Sequence, residues 1–300
     1  MHLFVTGASS FIGKAVLAAC DARSIRVTGI DLQPPTRPDC SMVDINTPAI
    51  ADAIPEDIDA VIHLAAVSRD SDSQGRAAHC FSVNVLGTLN LIEAAHTRGA
   101  GQFVFASSEW VYGSEDSVAE RHEDDPINAA LMTSEYALSK YVSEANLRQA
   151  YNRWAIPTAA LRFGIVYGPR TKNWSAVEAL LDSVARKDEI TVGALKTARR
   201  YIHVEDVAEG ILASVGLRGF EIINIQGPRL VSLGDVIASS SSLLGRAPRI
   251  TESAPETPSI RRVSDEKAQD LLGWRAKIDI DAGLMSLLPA LGLKAADGMT

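Results

Sequence analysis

The sequence predicts an α/β chain built on a doubly wound parallel sheet. Three observations carry this. Short apolar runs rich in β-branched and aromatic residues recur along the first 165 residues. Longer stretches of helical periodicity separate them. A Gly-rich turn joins the first run to the first helical stretch, where parallel sheets of this kind receive an anion.

The elements follow in order. His2-Leu3-Phe4-Val5 reads as the first strand, Thr6-Gly7-Ala8-Ser9-Ser10-Phe11-Ile12-Gly13 as the turn and residues 14–22 as the first helix. Such a turn points backbone N–H groups at an anion with help from the helix dipole, as a dinucleotide pyrophosphate requires. Residues 25–30 form the second strand and end at Asp31. An acid about twenty residues past the turn accepts hydrogen bonds from the adenosine ribose and repels a 2′-phosphate. Arg37, six residues on, is not directly beside it, so the charge pattern favours NAD over NADP. Residues 60–64, 103–106 and 158–163 are short and apolar, as strands buried on both faces are. Residues 83–98 and 134–151 carry helical patterns between them.

From about Val166 the pattern becomes irregular and richer in Pro and Arg. We expect a dinucleotide-binding domain at 1–165 plus about 200–225, and a smaller C-terminal substrate lobe at about 166–199 plus 226–300. Residues 248–258 read as a loop, the serines at 239–242 as the exposed side of a helix, and 291–300, with Gly298, as a frayed tail.

Composition narrows the function. The 300 residues are 46% hydrophobic and 22% charged, ordinary for a globular protein with an ample core. A net charge of −8 argues against nucleic acid as a partner. No apolar run approaches the roughly 20 residues that span a bilayer, so no membrane partner is expected. The chain opens directly into a strand, and Cys20, Cys40 and Cys80 are odd in number without metal-ligand spacing. These features lead us to expect reduced thiols, no metal and a cytoplasmic protein.

The chemistry lies between Ser107 and Lys140. Ser107-Ser108-Glu109-Trp110-Val111-Tyr112-Gly113 is followed, 28 residues after Ser108, by Tyr136-Ala137-Leu138-Ser139-Lys140. A Tyr and a Lys four apart share one helix face. The ammonium favours the phenolate, pulling a tyrosine pKa down from about 10. A Ser at a preceding strand end can hold the same substrate oxygen, so the trio suits conversion of an alcohol to a ketone with hydride loss. His63 and His203 sit in apolar runs and read as satisfied core histidines.

On these residues the chain resembles the extended short-chain dehydrogenase/reductases of the NAD-dependent nucleotide-sugar epimerase/dehydratase family, along nearly its whole length. Further matches are Asp44-Ile45, at the adenine; His63-Leu64-Ala65-Ala66, passing the cofactor; and Asn84 in Val83-Asn84-Val85-Leu86-Gly87-Thr88. Leu161-Arg162-Phe163, Val166-Tyr167-Gly168-Pro169-Arg170, Arg199-Arg200-Tyr201-Ile202-His203-Val204-Glu205-Asp206, Asn224-Ile225 and Leu272-Gly273-Trp274 complete the series. The resemblance implies a Rossmann-type fold and NAD held by Gly7, Ser10, Phe11, Ile12, Gly13, Asp31, Asp44, Ile45, Leu64, Ala65, Ala66, Asn84, Tyr136 and Lys140. It implies catalysis by Ser108, Tyr136 and Lys140, with Glu109 as a further candidate acid. A nucleotide-diphosphate sugar would be held by Ser108, Arg199 and either or both of Arg261 and Arg262.

The implied reaction is C4 epimerisation through a transient 4-keto sugar, in carbohydrate metabolism, by a homodimer joined through helices 83–98 and 134–151. Three departures keep alternatives open. Ser10 replaces a usual Gly and should restrict the backbone's approach to the pyrophosphate, which suits a net dehydrogenase or reductase. Ile165 stands where relatives often carry an Asn that touches the diphosphate. Dehydratase relatives carry Asp then Glu where this chain has Glu109 and Trp110, and decarboxylases carry Glu at the second position. A non-catalytic NAD-binding protein is the remote alternative.

Overall fold

Strands form where β-branched and aromatic residues run without interruption, because both faces of a parallel sheet are covered. The computed structural model describes residues 1–68, 70–113 and 119–296. The first half runs β1 (His2–Thr6), α1 (Phe11–Asp21), β2 (Arg26–Asp31), β3 (Cys40–Met42), α2 (Ala49–Ala53), β4 (Ala60–His63), α3 (Asp70–Ser73), α4 (Ala77–Phe81), α5 (Gly87–Thr97), β5 (Phe103–Ser108), α6 (Glu135–Trp154) and β6 (Thr158–Phe163). The second half runs β7 (Val166–Tyr167), α7 (Ala176–Arg186), β8 (Glu189–Val192), β9 (Ala198–Arg199), β10 (Ile202–His203), α8 (Val204–Ala213), β11 (Phe220–Ile225), β12 (Val231–Ser232), α9 (Leu233–Leu244), β13 (Arg249–Glu252), α10 (Glu266–Leu272) and α11 (Ile280–Leu291).

Seven strands pair in the order β11-β6-β5-β4-β1-β2-β3, every pair parallel. The expected doubly wound, Rossmann-like sheet is thus present. Period-two alternation splits each strand between two cores. Leu3 and Val5 of β1, Val104 of β5 and Leu161 of β6 pack with Val16 of α1 and Ile211 of α8. Phe4, Phe103, Phe105 and Ala160 pack on the other face with Ile92 of α5 and Leu147 of α6. A third core joins Leu181 of α7, Val236 of α9 and Leu284 and Leu288 of α11 with Tyr167 and Tyr201. Ala268 of α10 and Trp274 belong to the first of these cores, against the sheet.

Three local expectations need correction. Residues 248–258 are not all loop: β13 pairs in parallel with β8, its exposed Arg249 and Thr251 alternating with half-buried Ile250 and Glu252. The serine run is not all exposed, since Ser240 is fully buried in α9. The tail from 291 is docked rather than frayed. Leu291 is buried and Leu293 packs on the third core. The Ala296 N–H donates to the Leu243 carbonyl at 2.9 Å. Gly298 lies outside the described residues.

Candidate active site

The strand order reverses between β1 and β4, so a crevice opens at their C-terminal ends, where sheets of this kind bind ligands. Gly7 leaves β1 at φ +69°, and a Cβ there would sit 2.8 Å from the Ala65 nitrogen. A Cβ on Gly13 would sit 2.1 Å from the Gly7 carbonyl oxygen. Both glycines are therefore required, one for the turn and one for seating α1 against it.

Ser10 has φ −68° and ψ 171°, a conformation open to any residue. Its hydroxyl caps α1 by accepting from the Gly13 N–H at 3.0 Å. The lost glycine thus leaves the turn's path unstrained, but commits one N–H of the helix N-terminus to the cap. Phe11 opens α1 beneath the Arg170 guanidinium, 4.4 Å from its ring, and Ile12 packs on the sheet core.

Asp31 ends β2 and accepts from the Ser9 N–H at 2.9 Å and the Gln33 N–H at 3.0 Å. Each carboxylate oxygen keeps a lone pair for a ribose diol. Arg37 is held by Asp21, at 2.6 and 3.0 Å, and by Asp39, at 2.9 and 2.7 Å. Its charge is spent on those carboxylates. On the far side, Leu64 and Ala65 are tied to Thr6 at 3.2 Å each, and Ala66 follows, half-buried. Asp44 caps its own turn at Asn46, and Ile45 lies buried against Gly87 at the start of α5. The positive helix end, the two glycine contacts and the acid at β2 together fit a dinucleotide.

Asn84 lies in a π-helical turn, Ser82–Leu86, that interrupts the helix leading into α5. Its amide accepts from the Val67 N–H at 2.8 Å and donates to the Val67 carbonyl at 3.0 Å and to Ser139 Oγ at 2.9 Å. It therefore ties the loop after β4 to α6, the helix that carries Tyr136 and Lys140.

Ser134 caps α6 through the Ala137 N–H at 3.2 Å, which sets Tyr136 in the first turn and Lys140 one turn on. Lys140 is buried, and its ammonium donates to the Ala106 carbonyl of β5 at 2.7 Å. It lies 4.7 Å from the Phe105 ring centroid and 5.9 Å from that of Tyr136. Burial pulls its pKa down to about 8, against the raising influence of Cys80 and Glu144. Ser108 stands two residues after that carbonyl, at the end of β5, nearly buried, its Oγ accepting from the Trp110 N–H at 3.3 Å. The lysine thus pins the helix bearing the phenol to the strand bearing the serine.

A second side of the crevice is assembled from remote segments. The backbone of residues 259–264 runs between β9 and Arg121. It bonds Ala198 through Ser259 O at 3.0 Å and Arg261 N at 3.2 Å, and Arg121 through Arg262 O and Ser264 N at 2.9 Å each. This brings Arg261 over the Trp110 ring at 4.8 Å, to the Gly113 carbonyl at 2.6 Å and to Glu109 at 3.5 Å. Arg199 is buried, donating to the carbonyls of Ala198 and Ser259 at 2.8 and 2.7 Å and to Ser259 Oγ at 2.9 Å. Glu109 is 1% exposed. Burial raises its pKa, and the nearby Arg261 and Arg199 oppose that. Ile165 packs on the third core.

Sequence reasoning missed a buried network behind Ser108. The Ser107 hydroxyl donates to Glu144 Oε1 at 2.5 Å, and Arg162 grips the same carboxylate at 3.0 and 2.8 Å. Arg162 also donates to the Tyr112 hydroxyl at 3.0 Å, which donates to Asn224 Oδ1 at 2.8 Å. The available signal was a charged residue inside an apolar strand, Leu161-Arg162-Phe163, since buried charges demand partners.

The two histidines are satisfied in the core. His63 shares hydrogen bonds with Thr6 Oγ1 at 2.8 Å and Thr88 Oγ1 at 2.9 Å, and burial lowers its pKa to about 3. His203 pairs with Ser286 Oγ at 3.0 Å and caps α8. Among the described residues no group of three or more His, Cys, Asp or Glu could hold a metal ion, and no helix is long and apolar enough to cross a membrane.

Residues 3–225 match the model of the NAD dependent epimerase/dehydratase family. The chain is 30% identical over 312 residues to a GDP-6-deoxy-D-mannose reductase of Pseudomonas aeruginosa, covering 96% of each. It is 27% identical over 231 residues to a UDP-glucuronate 4-epimerase of Thermodesulfobacterium geofontis, covering 76% of this chain and 70% of the relative. A Thermus thermophilus UDP-glucose 4-epimerase crystallised with NAD superposes with a TM-score of 0.82 at 26% identity, over the whole of both chains.

Proposed function

The chain belongs to the NAD dependent epimerase/dehydratase family, a family of enzymes, and from that premise we propose that it is a nucleotide-sugar 4-epimerase. The observation that carries the reading is the trio at the mouth of β5: Ser108, Tyr136 and a buried Lys140 whose ammonium is fastened to Ala106. NAD, when bound, supplies the acceptor and donor of hydride. The residues supply the rest. Ser108 holds the C4 hydroxyl. Tyr136, held as the phenolate by the neighbouring Lys140 cation, takes its proton as the C4 hydrogen leaves and becomes the neutral phenol. The 4-keto sugar turns, and Tyr136 returns the proton to the oxygen once the opposite face has been reduced. Gly7, Gly13 and the start of α1 would hold the pyrophosphate, and Asp31 the adenosine ribose, which with Arg37 spent on two aspartates favours NAD over NADP.

Arg199 and Arg261 would hold the diphosphate, and the segment around residues 259–264 would belong to the proposed substrate lobe. Glu109 faces Arg261 and is enclosed, which supports a counter-ion role over an acid acting on the sugar. Trp110 is spent on stacking Arg261. Both facts count against the dehydratase and decarboxylase readings. The reductase reading keeps support from the Pseudomonas relative and from the Ser10 cap. A homodimer through α5 and α6 belongs to the same proposal, and a monomer by light scattering would remove that part.

The test is a nucleotide-sugar panel with catalytic NAD, read by mass spectrometry and proton NMR. Unchanged mass with inverted C4 coupling supports the epimerase. Turnover only with stoichiometric cofactor makes the enzyme a net oxidoreductase. Loss of water or carbon dioxide returns Glu109 to catalysis.

A further inference from the structure

We propose that Glu144 is a positioning residue for the reaction, acting through Ser107 and Arg162 to fix the serine-bearing strand end against the helix that carries Tyr136 and Lys140. This deepens the alcohol-oxidation reading of the site and rests on it.

Tyr136, Lys140 and Glu144 are spaced by four on α6 and so lie along one face, one turn apart. The Glu144 carboxylate reaches two strands from that face. It accepts from Ser107 on β5 at 2.5 Å and, in a two-pronged pair, from Arg162 on β6 at 3.0 and 2.8 Å. Ser107 immediately precedes Ser108, and the backbone between them leaves little play. Glu144 and Arg162 are 3% and 2% exposed, deep enough that misaligned partners would be costly. A packing role would be served by any buried pair. This one differs in where it lands: one partner is the neighbour of Ser108, and the carboxylate lies one turn beyond Lys140. The second tie between α6 and β5 is the Lys140 bond to Ala106. The two ties grip adjacent residues just before the strand end, Ala106 and Ser107, so the approach of Ser108 to α6 is held at two points.

The same carboxylate supports the lysine's charge. The titratable groups around Lys140 are Tyr136 and Glu144 on its own helix, Cys80 on α4 and His63 on β4. His63 is kept neutral by burial, and burial also raises the Cys80 thiol pKa. Glu144 is therefore the anion that opposes the desolvation of Lys140.

Two variants test this beside the wild type. Ser107→Ala cuts the strand tie without orphaning a charge. It should lower kcat about 10-fold with KM and cofactor affinity unchanged, in whatever reaction the wild type catalyses. Glu144→Gln keeps the shape and some hydrogen bonding. It should move the Lys140 titration to lower pH, read by NMR of lysine-¹⁵N-labelled protein without substrate, and move the alkaline limb of kcat with it. If Glu144→Gln fails to fold, Ser107→Ala alone decides. Unchanged kcat in Ser107→Ala, or an unmoved Lys140 titration in a folded Glu144→Gln, overturns the proposal. A wild type active on no nucleotide sugar would overturn the epimerase reading alone, leaving the NMR titration to judge Glu144.

Discussion

The two walls of the cleft are made of different material. The proposed cofactor wall is mostly backbone: a glycine turn and a helix end, with the one acid side chain of Asp31, drawn from a single run between Thr6 and Asp31. The proposed substrate wall is side chain: Glu109 and Trp110 after β5, Arg199 at β9 and Arg261 beyond β13. A backbone cradle tolerates no added atoms, so its demands appear as glycines. A side-chain wall depends on which distant segments meet, and its charges are settled by their partners. The trio of Ser108, Tyr136 and Lys140 stands where the walls join.

The sharpest way to separate the walls is at that join. Tyr136→Phe should cut kcat by about 10³-fold, within the range of lost acid–base catalysis, while NAD still binds; retained turnover would sink the assignment. Next comes the backbone wall. Gly13→Ala forces a Cβ to within 2.1 Å of the Gly7 oxygen. It should lower stability by about 2 kcal/mol and abolish NAD binding, both readable by thermal shift with and without cofactor.

The side-chain wall should behave differently. Arg261→Ala should raise substrate KM about 10-fold or more and destabilise the fold, because Glu109 is left buried without its partner. Adding Glu109→Gln should restore stability but not KM; if both recover together, Arg261 is a structural pair and not a substrate ligand. Arg199→Ala should likewise raise KM and leave NAD affinity nearly unchanged.

The smallest effect is a matter of sign. Lys140 titrates at about 8 against an ordinary 10.5. Its ammonium is present below that point and lost as pH rises through it, so kcat should fall above about pH 8. Stability should move the other way. Between 8 and 10.5 the unfolded chain binds the proton and the folded one does not, so this group's contribution to stability rises with pH in that window. Activity and unfolding temperature falling together above pH 8 would assign the limb to general unfolding.

Much of this architecture is legible from local pattern. Phe4 and Leu3 announce a strand buried on both faces, and Gly7 and Gly13 announce a turn that admits no side chain. Tyr136 and Lys140 share a helix face by spacing alone. Other features are not local. Arg261 and Arg262 are equivalent by position, and only the pairing of residues 259–264 with Ala198 and Arg121 turns Arg261 toward Glu109. Ser10 reads as an obstacle until its cap on Gly13 is seen. Residues 248–258 hide β13 because an edge strand there needs β8 beside it. By itself the sequence determined the strands, the glycine turn and the shared helix face of Tyr136 and Lys140, because each rests on a pattern within a few turns of chain. The tertiary structure alone decided which arginine meets Glu109 and that Glu144 joins Ser107 to Arg162, because partners for buried charge are chosen by what folding brings together.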